Sequence, residues 1–305
     1  LAKDMDFPDL ADHVQILSSA KQPNHAHWDR DELHEIVREW RAVLDEYDGR
    51  MMVAEAWVSE ESLPKYLRPD EYHQSFSFDL LMAAWDADAY RSTIASVYEP
   101  AKALGAASTW VLSNHDVMRH TTRFGLPADK SWRTWPVTGP ADALDTELGE
   151  RRARVAALIT LGLPGASYLY QGEELGLPEV WELPWDVLDD PVARRSEGTQ
   201  KGRDGCRVPI PWTAGGESFG FGGPAWMPQP ERFAAYAADQ QVGVDGSFHS
   251  LYKDALRIRR EHFVDDAELT WIEAGDGVLA YSRASGVHCV ANMGAEPVPM
   301  PAGQI

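Results

Sequence analysis

Cysteine, basic charge and long apolar runs are all scarce in this 305-residue sequence. Its 2 cysteines, Cys206 and Cys289, are too few for a framework of disulfides, which fits a reducing compartment. Lys and Arg number 28 against 48 Asp and Glu, and a formal net charge of −20 repels phosphate backbones and anionic lipids. No apolar run reaches the length of about 18 residues that a membrane span needs. We therefore expect neither nucleic-acid nor membrane binding.

The first residues also lack the basic and then apolar stretches of a secretory signal, so we expect a cytoplasmic protein. Two histidines, His25 and His27, lie close together, but histidines on a polar stretch are more often solvated than metal-bound. We predict no metal site and no cofactor. The sequence gives no indication of oligomeric state.

Aromatic residues, in contrast, are plentiful, with 12 Trp and 10 Tyr. Such rings usually pack in a core, although exposed rings also stack on sugars. The hydrophobic share of 44% and the charged share of 25% are typical of a soluble globular protein.

Helical and extended patterns alternate along the first half of the chain. Apolar residues recur at helical spacing and are followed each time by a short apolar run, as expected of buried parallel strands. The predicted helices cover 29–49, about 90–105 and about 155–162, and the predicted strands cover 51–54, 109–112 and 167–170, with a weaker strand at 74–78. This alternation predicts an α/β fold with a parallel sheet.

The second half of the chain has a different pattern. Residues 178–246 are rich in Pro, Gly and Trp without periodicity, which is typical of a long functional loop. A helix is predicted over 247–262. Three short strands at 269–273, 278–283 and 287–292, separated by glycine-containing turns, then predict the start of a separate antiparallel domain.

Carboxylates follow two of the predicted strands, where Glu55 and Asp116 end apolar runs. In a β/α barrel the carboxyl ends of the strands build the active site, and paired carboxylates suit glycoside hydrolysis. The apolar run before Glu55 and Trp57 after it predict apolar surroundings that favour a protonated acid. A solvated carboxylate at a strand end is the structural alternative. His115 could orient a substrate hydroxyl, although Asn-His-Asp is also ordinary turn composition.

Five stretches together resemble the α-amylase superfamily, glycoside hydrolase family 13, and within it the α-glucosidases and oligo-1,6-glucosidases. Their order and spacing agree over most of the chain. They are MMVAEAW at 51–57, TWVLSNHD at 109–116, ASYLYQGEELGLP at 166–178, RDGCRVPIPW at 203–212 and LYKDALRIRRE at 251–261. The resemblance implies that residues 1–262 form the C-terminal half of a (β/α)8 TIM barrel, strands 5–8 with their helices. Residues 263–305 would begin an antiparallel β-sandwich domain.

The same resemblance implies catalytic and substrate-binding roles for four residues. Glu55 would be the general acid/base and Asp116 the transition-state stabiliser. His115 would bind the same sugar ring, and Arg207 would contact both Asp116 and the sugar. This sequence departs from the family's Asp-Asn-Ala-Arg-x-Pro motif, because Gly205 stands in place of the Asn.

The family's nucleophile, an Asp in an Arg-x-Asp motif that precedes the acid, has no counterpart at the right place. Arg68-Pro69-Asp70 comes after Glu55 and contains a proline. Residues 1–12 resemble the segment that comes after the nucleophile strand, so we expect the chain to begin beyond it, without strands one to four. Half a barrel exposes strand edges, so we expect this chain alone to be poorly soluble or partly unfolded, and inactive.

The resemblance implies that the parent protein hydrolyses terminal α-linked glucose from maltose-type oligosaccharides with retention of configuration. Its partner would be an α-glucoside oligosaccharide. A glucosyl transferase or isomerase of the same superfamily, similar to trehalose synthases, is an alternative. A second alternative is a non-catalytic ancillary subunit. The sequence does not decide between α-1,4 and α-1,6 linkages.

Overall fold

The computed structural model describes residues 29–56, 58, 61–139, 143–263 and 267–299. The predictions for His25, His27, Trp57 and residues 1–12 lie outside these ranges. The four helices longer than five residues in the described part are α1 (Glu32–Leu44), α2 (Ala87–Ala103), α3 (Thr146–Gly162) and α4 (Phe248–His262). The strands there are β1 (Val53–Ala54), β2 (Gln74–Ser75), β3 (Thr109–Val111), β4 (Ala166–Tyr168), β5 (Leu269–Trp271), β6 (Val278–Arg283) and β7 (His288–Asn292).

Short helical turns fill the connections between these elements. Single α-helical turns occur at Leu63–Tyr66, Asp79–Met82, His120–Arg123, Trp135–Thr138, Pro191–Arg195 and Phe233–Tyr236. 3₁₀ turns occur at Glu173–Leu175, Trp185–Val187, Asp204–Cys206, Glu217–Gly220 and Ala238–Gln240. Across the described ranges, no helix combines the length and the apolar character that crossing a bilayer requires.

The first four strands form two parallel pairs. β1 pairs with β2 through Val53 and Gln74, and β3 pairs with β4 through Thr109 and Ala166. The pairs are joined by a side chain, since the Thr109 hydroxyl donates to the Ser75 carbonyl (2.6 Å) and accepts from the Ser77 N–H (2.9 Å). The predicted parallel α/β arrangement is therefore present, including the weaker strand at 74–78.

Helix boundaries follow their capping residues more closely than the apolar pattern. Asp86 and Asp145 accept hydrogen bonds from the first turns of α2 and α3, as N-caps do. The predicted start of α1 at residue 29 is wrong, because Asp29 has a φ of 48° and the helix begins at Glu32. The helix also ends at Leu44, five residues before Gly49. Residues 45–49 form exposed turns instead of a further helical turn.

The three C-terminal strands form an antiparallel sheet that packs against α2 and α3. Tyr90, Ile94, Ile159, Leu279 and Tyr281 are fully buried in this shared core, where each large side chain contributes roughly 1.5–3 kcal/mol. The Tyr281 hydroxyl donates to the Ile159 carbonyl (2.6 Å), so the polar tip is also satisfied. The predicted antiparallel strands are confirmed, whereas a domain boundary after residue 262 stays a prediction.

The long segment between β4 and α4 has a core of its own. Leu183, Val208, Ile210, Met227 and Phe233 are buried together there although the segment shows no sequence periodicity. Its order comes from tertiary packing, and this packing carries residues 203–207 to the carboxyl end of β3.

Candidate active site

Asp116 lies in the loop after β3 and receives two guanidinium groups. Arg203 Nη1 donates to Asp116 Oδ1 at 2.7 Å, and Arg207 Nη2 donates to the same oxygen at 3.0 Å. The Asp116 side chain is only 16% exposed. Both bonds are charge-assisted, and they leave Oδ2 without a hydrogen bond among the described residues.

The predicted contact between Arg207 and Asp116 is therefore present, and the structure adds Arg203, which the sequence analysis missed. Asp190 holds Arg203 in place, since its Oδ2 accepts from Arg203 Nε (2.6 Å) and from the Arg203 backbone N–H (2.7 Å). These bonds raise the pKa of Arg203 further above its ordinary value. The only sequence signal was that Arg203 opens the stretch containing Arg207.

Asp190 is itself fixed by its surroundings and is 1% exposed. Burial opposes its ionisation, but hydrogen bonds from Arg203 and from the Val192 N–H outweigh this and lower the pKa of Asp190. The backbone N–H of Asp190 donates to Asp204 Oδ2 (2.9 Å). Arg203 is thus positioned by a buried carboxylate that other hydrogen bonds hold in turn.

His115 lies beside this cluster with an exposed ring. Its Nε2 is 3.7 Å from Asp116 Oδ1, and its backbone carbonyl accepts from Arg207 Nε at 2.8 Å. Asn114 Oδ1 accepts from the Asp116 N–H (2.8 Å), which forms a local turn. The loop therefore presents the imidazole and the carboxylate side by side.

Glu55 and His115 line one cavity of about 150 Å³, together with Phe76, Tyr168 and Tyr170. Aromatic rings and polar groups in one cavity suit an amphipathic ligand such as a sugar. Glu55 itself is exposed among the described residues, and the apolar surroundings expected for it stay a prediction, since Trp57 lies outside those residues. The structure thus brings Glu55 towards His115, and His115 towards Asp116 and Arg207.

A buried carboxyl supports the turn that contains Arg207. Glu179 Oε2 accepts from the Arg119 backbone N–H at 2.9 Å, and burial raises the pKa of Glu179 to about 7. A Cβ on Gly205 would collide with Glu179 Oε1 and lie 2.7 Å from the Val180 carbonyl. This close approach gives a physical reason for glycine where the family motif has asparagine.

The Arg-x-Asp sequence of this chain, Arg68-Pro69-Asp70, contributes no residue to this cluster. It forms a turn after the Leu63–Tyr66 helix, where Arg68 pairs with the buried Glu71 (3.3 Å). Within the described ranges, no three His, Cys, Asp or Glu side chains are placed to hold a metal ion.

Comparison with known proteins identifies the family of this chain. Residues 1–266 match the model of the α-amylase catalytic domain. The chain is 27% identical to Maltase A1 of Drosophila melanogaster over 84% of this chain and 42% of that protein. It is 29% identical to a probable α-glucosidase of Rhizobium meliloti (strain 1021) over 88% of this chain and 46% of that protein. The chain thus spans less than half the length of these relatives.

Solved structures show the same similarity. An α-glucosyl transfer enzyme superposes with a TM-score of 0.71 at 28% identity, covering 90% of this chain and 49% of that one. The trehalulose synthase of Pseudomonas mesoacidophila MX-45 superposes with a TM-score of 0.66 at 21% identity, covering 83% of this chain and 48% of that one. The second likeness concerns the fold alone. On the family match over residues 1–266, the chain belongs to the α-amylase catalytic-domain family of glycoside hydrolases.

Proposed function

We propose that this chain supplies the acid/base side and the stabiliser side of a retaining α-glucosidase that releases terminal glucose from maltose-type oligosaccharides. The observation that carries the proposal is the convergence of Arg203 and Arg207 on Asp116, beside the cavity that Glu55 lines. The similarity to a maltase and to a probable α-glucosidase supports the same function. We also propose that β1–β4 are strands 5–8 of a (β/α)8 barrel.

In this mechanism Glu55 donates a proton to the departing glycosidic oxygen and later takes one from water. A nucleophilic carboxylate forms the covalent glucosyl intermediate. Asp116 holds sugar hydroxyls through Oδ2, because Oδ1 is occupied by the guanidinium groups. His115 contacts the same sugar ring, and Arg207 contributes positive charge beside it.

The nucleophile is the missing component, because no Arg-x-Asp motif lies at a strand end among the residues that the structure describes. The Asp70 motif lies in a turn, with its arginine engaged by Glu71. We therefore propose that the 305-residue chain alone does not turn over maltose, because retention requires a covalent carboxylate. Glucose release from maltose by the purified chain would contradict this.

The test of the function uses the polypeptide that this reading frame encodes, with any residues that precede Leu1. Proton NMR should detect α-glucose as the first anomer released from an aryl α-glucoside, whose departing group is not itself glucose. Glu55→Gln should lower kcat by about 10²–10⁴-fold, as removal of a general acid does. Glu61→Gln, an exposed glutamate on the same loop, is the matched control and should keep full activity. First release of β-glucose, or near-normal kcat in Glu55→Gln, would overturn the proposal.

Glucosyl transfer is a second candidate, favoured by the 28% identity to an α-glucosyl transfer enzyme over 90% of this chain. A transferase passes the glucosyl group to a sugar hydroxyl instead of water. The ratio of glucosylated acceptor to free glucose, measured with excess acceptor sugar, separates the two candidates. A predominance of free glucose supports the hydrolase.

A further inference from the structure

An arginine in the loop after β3, Arg119, is buried behind the site. It is only 2% exposed, and it lies three residues after Asp116. Its Nη1 donates to the Gln171 carbonyl (2.7 Å) and its Nη2 to the Cys206 carbonyl (3.0 Å). The guanidinium also lies over the Tyr170 ring, 5.1 Å from its centre. Arg119 therefore joins the loop after β3, the end of β4 and the turn at 204–206.

The Cys206 carbonyl matters because of the residue that comes after it. This carbonyl and the Arg207 N–H belong to one planar peptide group, so holding one fixes the orientation of the other. The carbonyl accepts from Arg119 Nη2 and from the Tyr170 hydroxyl (3.0 Å), while the Arg207 N–H donates to the Asp204 carbonyl (3.0 Å). The direction in which Arg207 leaves the backbone is therefore fixed from both sides.

The arrangement also carries a cost that packing alone would not require. Taking a guanidinium out of water is unfavourable, and an apolar residue of similar size is often as stabilising. The side-chain bonds of Arg119 go to two backbone carbonyls, and one of these immediately precedes Arg207. What the buried charge provides is a defined orientation of that peptide group.

We propose that Arg119 is a positioning residue that, with Tyr170, holds the peptide group before Arg207 and so keeps the Arg207 guanidinium on Asp116. The contacts of Arg119 and Tyr170 in this chain carry the positioning role. Its consequence for turnover rests on the proposed function.

The test reads the geometry directly, by ¹⁵N NMR of the Arg207 side chain in the polypeptide that the reading frame encodes, with any residues that precede Leu1. Arg207 Nε–H donates to the His115 carbonyl (2.8 Å), so its proton should exchange slowly with water. The resonance is assigned by its loss in Arg207→Lys. In Arg119→Lys we expect this exchange to accelerate by about tenfold or more, because the lysine cannot reproduce the two-carbonyl contact.

Arg259→Lys is the matched control. Arg259 also donates to backbone carbonyls, those of Leu161 (2.5 Å) and Leu163 (2.7 Å), but at the opposite end of β3 and β4 from Asp116. The Arg259→Lys variant should lose about as much stability as Arg119→Lys does. Its Arg207 Nε–H signal should nevertheless be unchanged. An unchanged signal in Arg119→Lys, or equal changes in both variants, would overturn the proposal.

Tyr170→Phe keeps the test decisive if Arg119→Lys does not fold. It removes one of the two hydrogen bonds to the Cys206 carbonyl, so exchange at Arg207 Nε–H should rise about two- to fivefold, as expected for one hydrogen bond. No change in this variant would also contradict the proposal. If Arg119→Lys alters the NMR signal but the polypeptide encoded by the whole reading frame releases no glucose from maltose, the positioning role stands and the proposed function fails.

Discussion

The two carboxylates that we assign to the site are held in very different ways. Asp116 is 16% exposed and receives two guanidinium groups, one of which Asp190 holds. Glu55 is exposed at the end of a two-residue strand, and its carboxyl makes no hydrogen bond with any described residue. Hydrogen bonds within this chain therefore fix the Asp116 carboxylate, whereas no described residue fixes the Glu55 carboxylate in this way.

This difference shows what fixes the geometry of each side. The stabiliser side depends on buried polar groups that satisfy one another, and all of them lie between residues 112 and 207. Such a network keeps its arrangement before substrate arrives, which is how enzymes reduce the cost of reorganisation. The acid side has no such network among the described residues, where Glu55 lines a cavity with Phe76, Tyr168 and Tyr170.

The largest expected effect on stability comes from removing the carboxylate that anchors Arg203. Asp190→Ala leaves two backbone N–H groups without their partner and Arg203 with Asp116 as its one remaining carboxylate, so the free energy of unfolding should fall by about 3 kcal/mol. Glu55→Gln should change it by less than about 0.5 kcal/mol, because the side chain is exposed. Urea unfolding of both variants measures the contrast, and equal effects would remove the distinction between the two sides.

A pH effect should be specific to the buried side. The pKa of Glu179 is raised from 4.5 to about 7 in the folded chain, so the folded state binds a proton more tightly than the unfolded state. The contribution of Glu179 to the free energy of unfolding is fully present below about pH 4.5 and is lost as pH rises through about 7. Glu179→Gln should abolish this loss, so above pH 7 its free energy of unfolding should differ from that of the wild type by up to a few kcal/mol. Parallel stability–pH curves for the two proteins would show that the prediction is wrong.

A smaller effect should follow from adding one methyl group beside that carboxyl. Gly205→Ala should destabilise the chain by about 1–3 kcal/mol, because the new Cβ collides with Glu179 and approaches the Val180 carbonyl. Gly215→Ala is the matched control, since no atom lies within 4 Å of the Cβ position there. Thermal unfolding of the two variants compares them, and similar melting temperatures would contradict the close packing.

Part of this arrangement could be predicted from the sequence. Apolar runs after helical patterns located β1 to β4, and the motif around Arg207 predicted its contact with Asp116. The role of Arg203 could not be predicted, because it depends on Asp190, 13 residues away in a segment without periodicity. The exposure of Glu55 could not be predicted, because apolar neighbours along a strand do not determine what lies beyond its end.

The decisive measurement for the proposed site is kcat for maltose hydrolysis by Asp116→Asn, in the polypeptide that the reading frame encodes, with any residues that precede Leu1. We predict a loss of about 10³-fold or more, since the neutral amide no longer supplies charge where the transition state needs it. A kcat within tenfold of wild type, in a variant that remains folded, would contradict the assignment of Asp116 and, with it, the proposed α-glucosidase site.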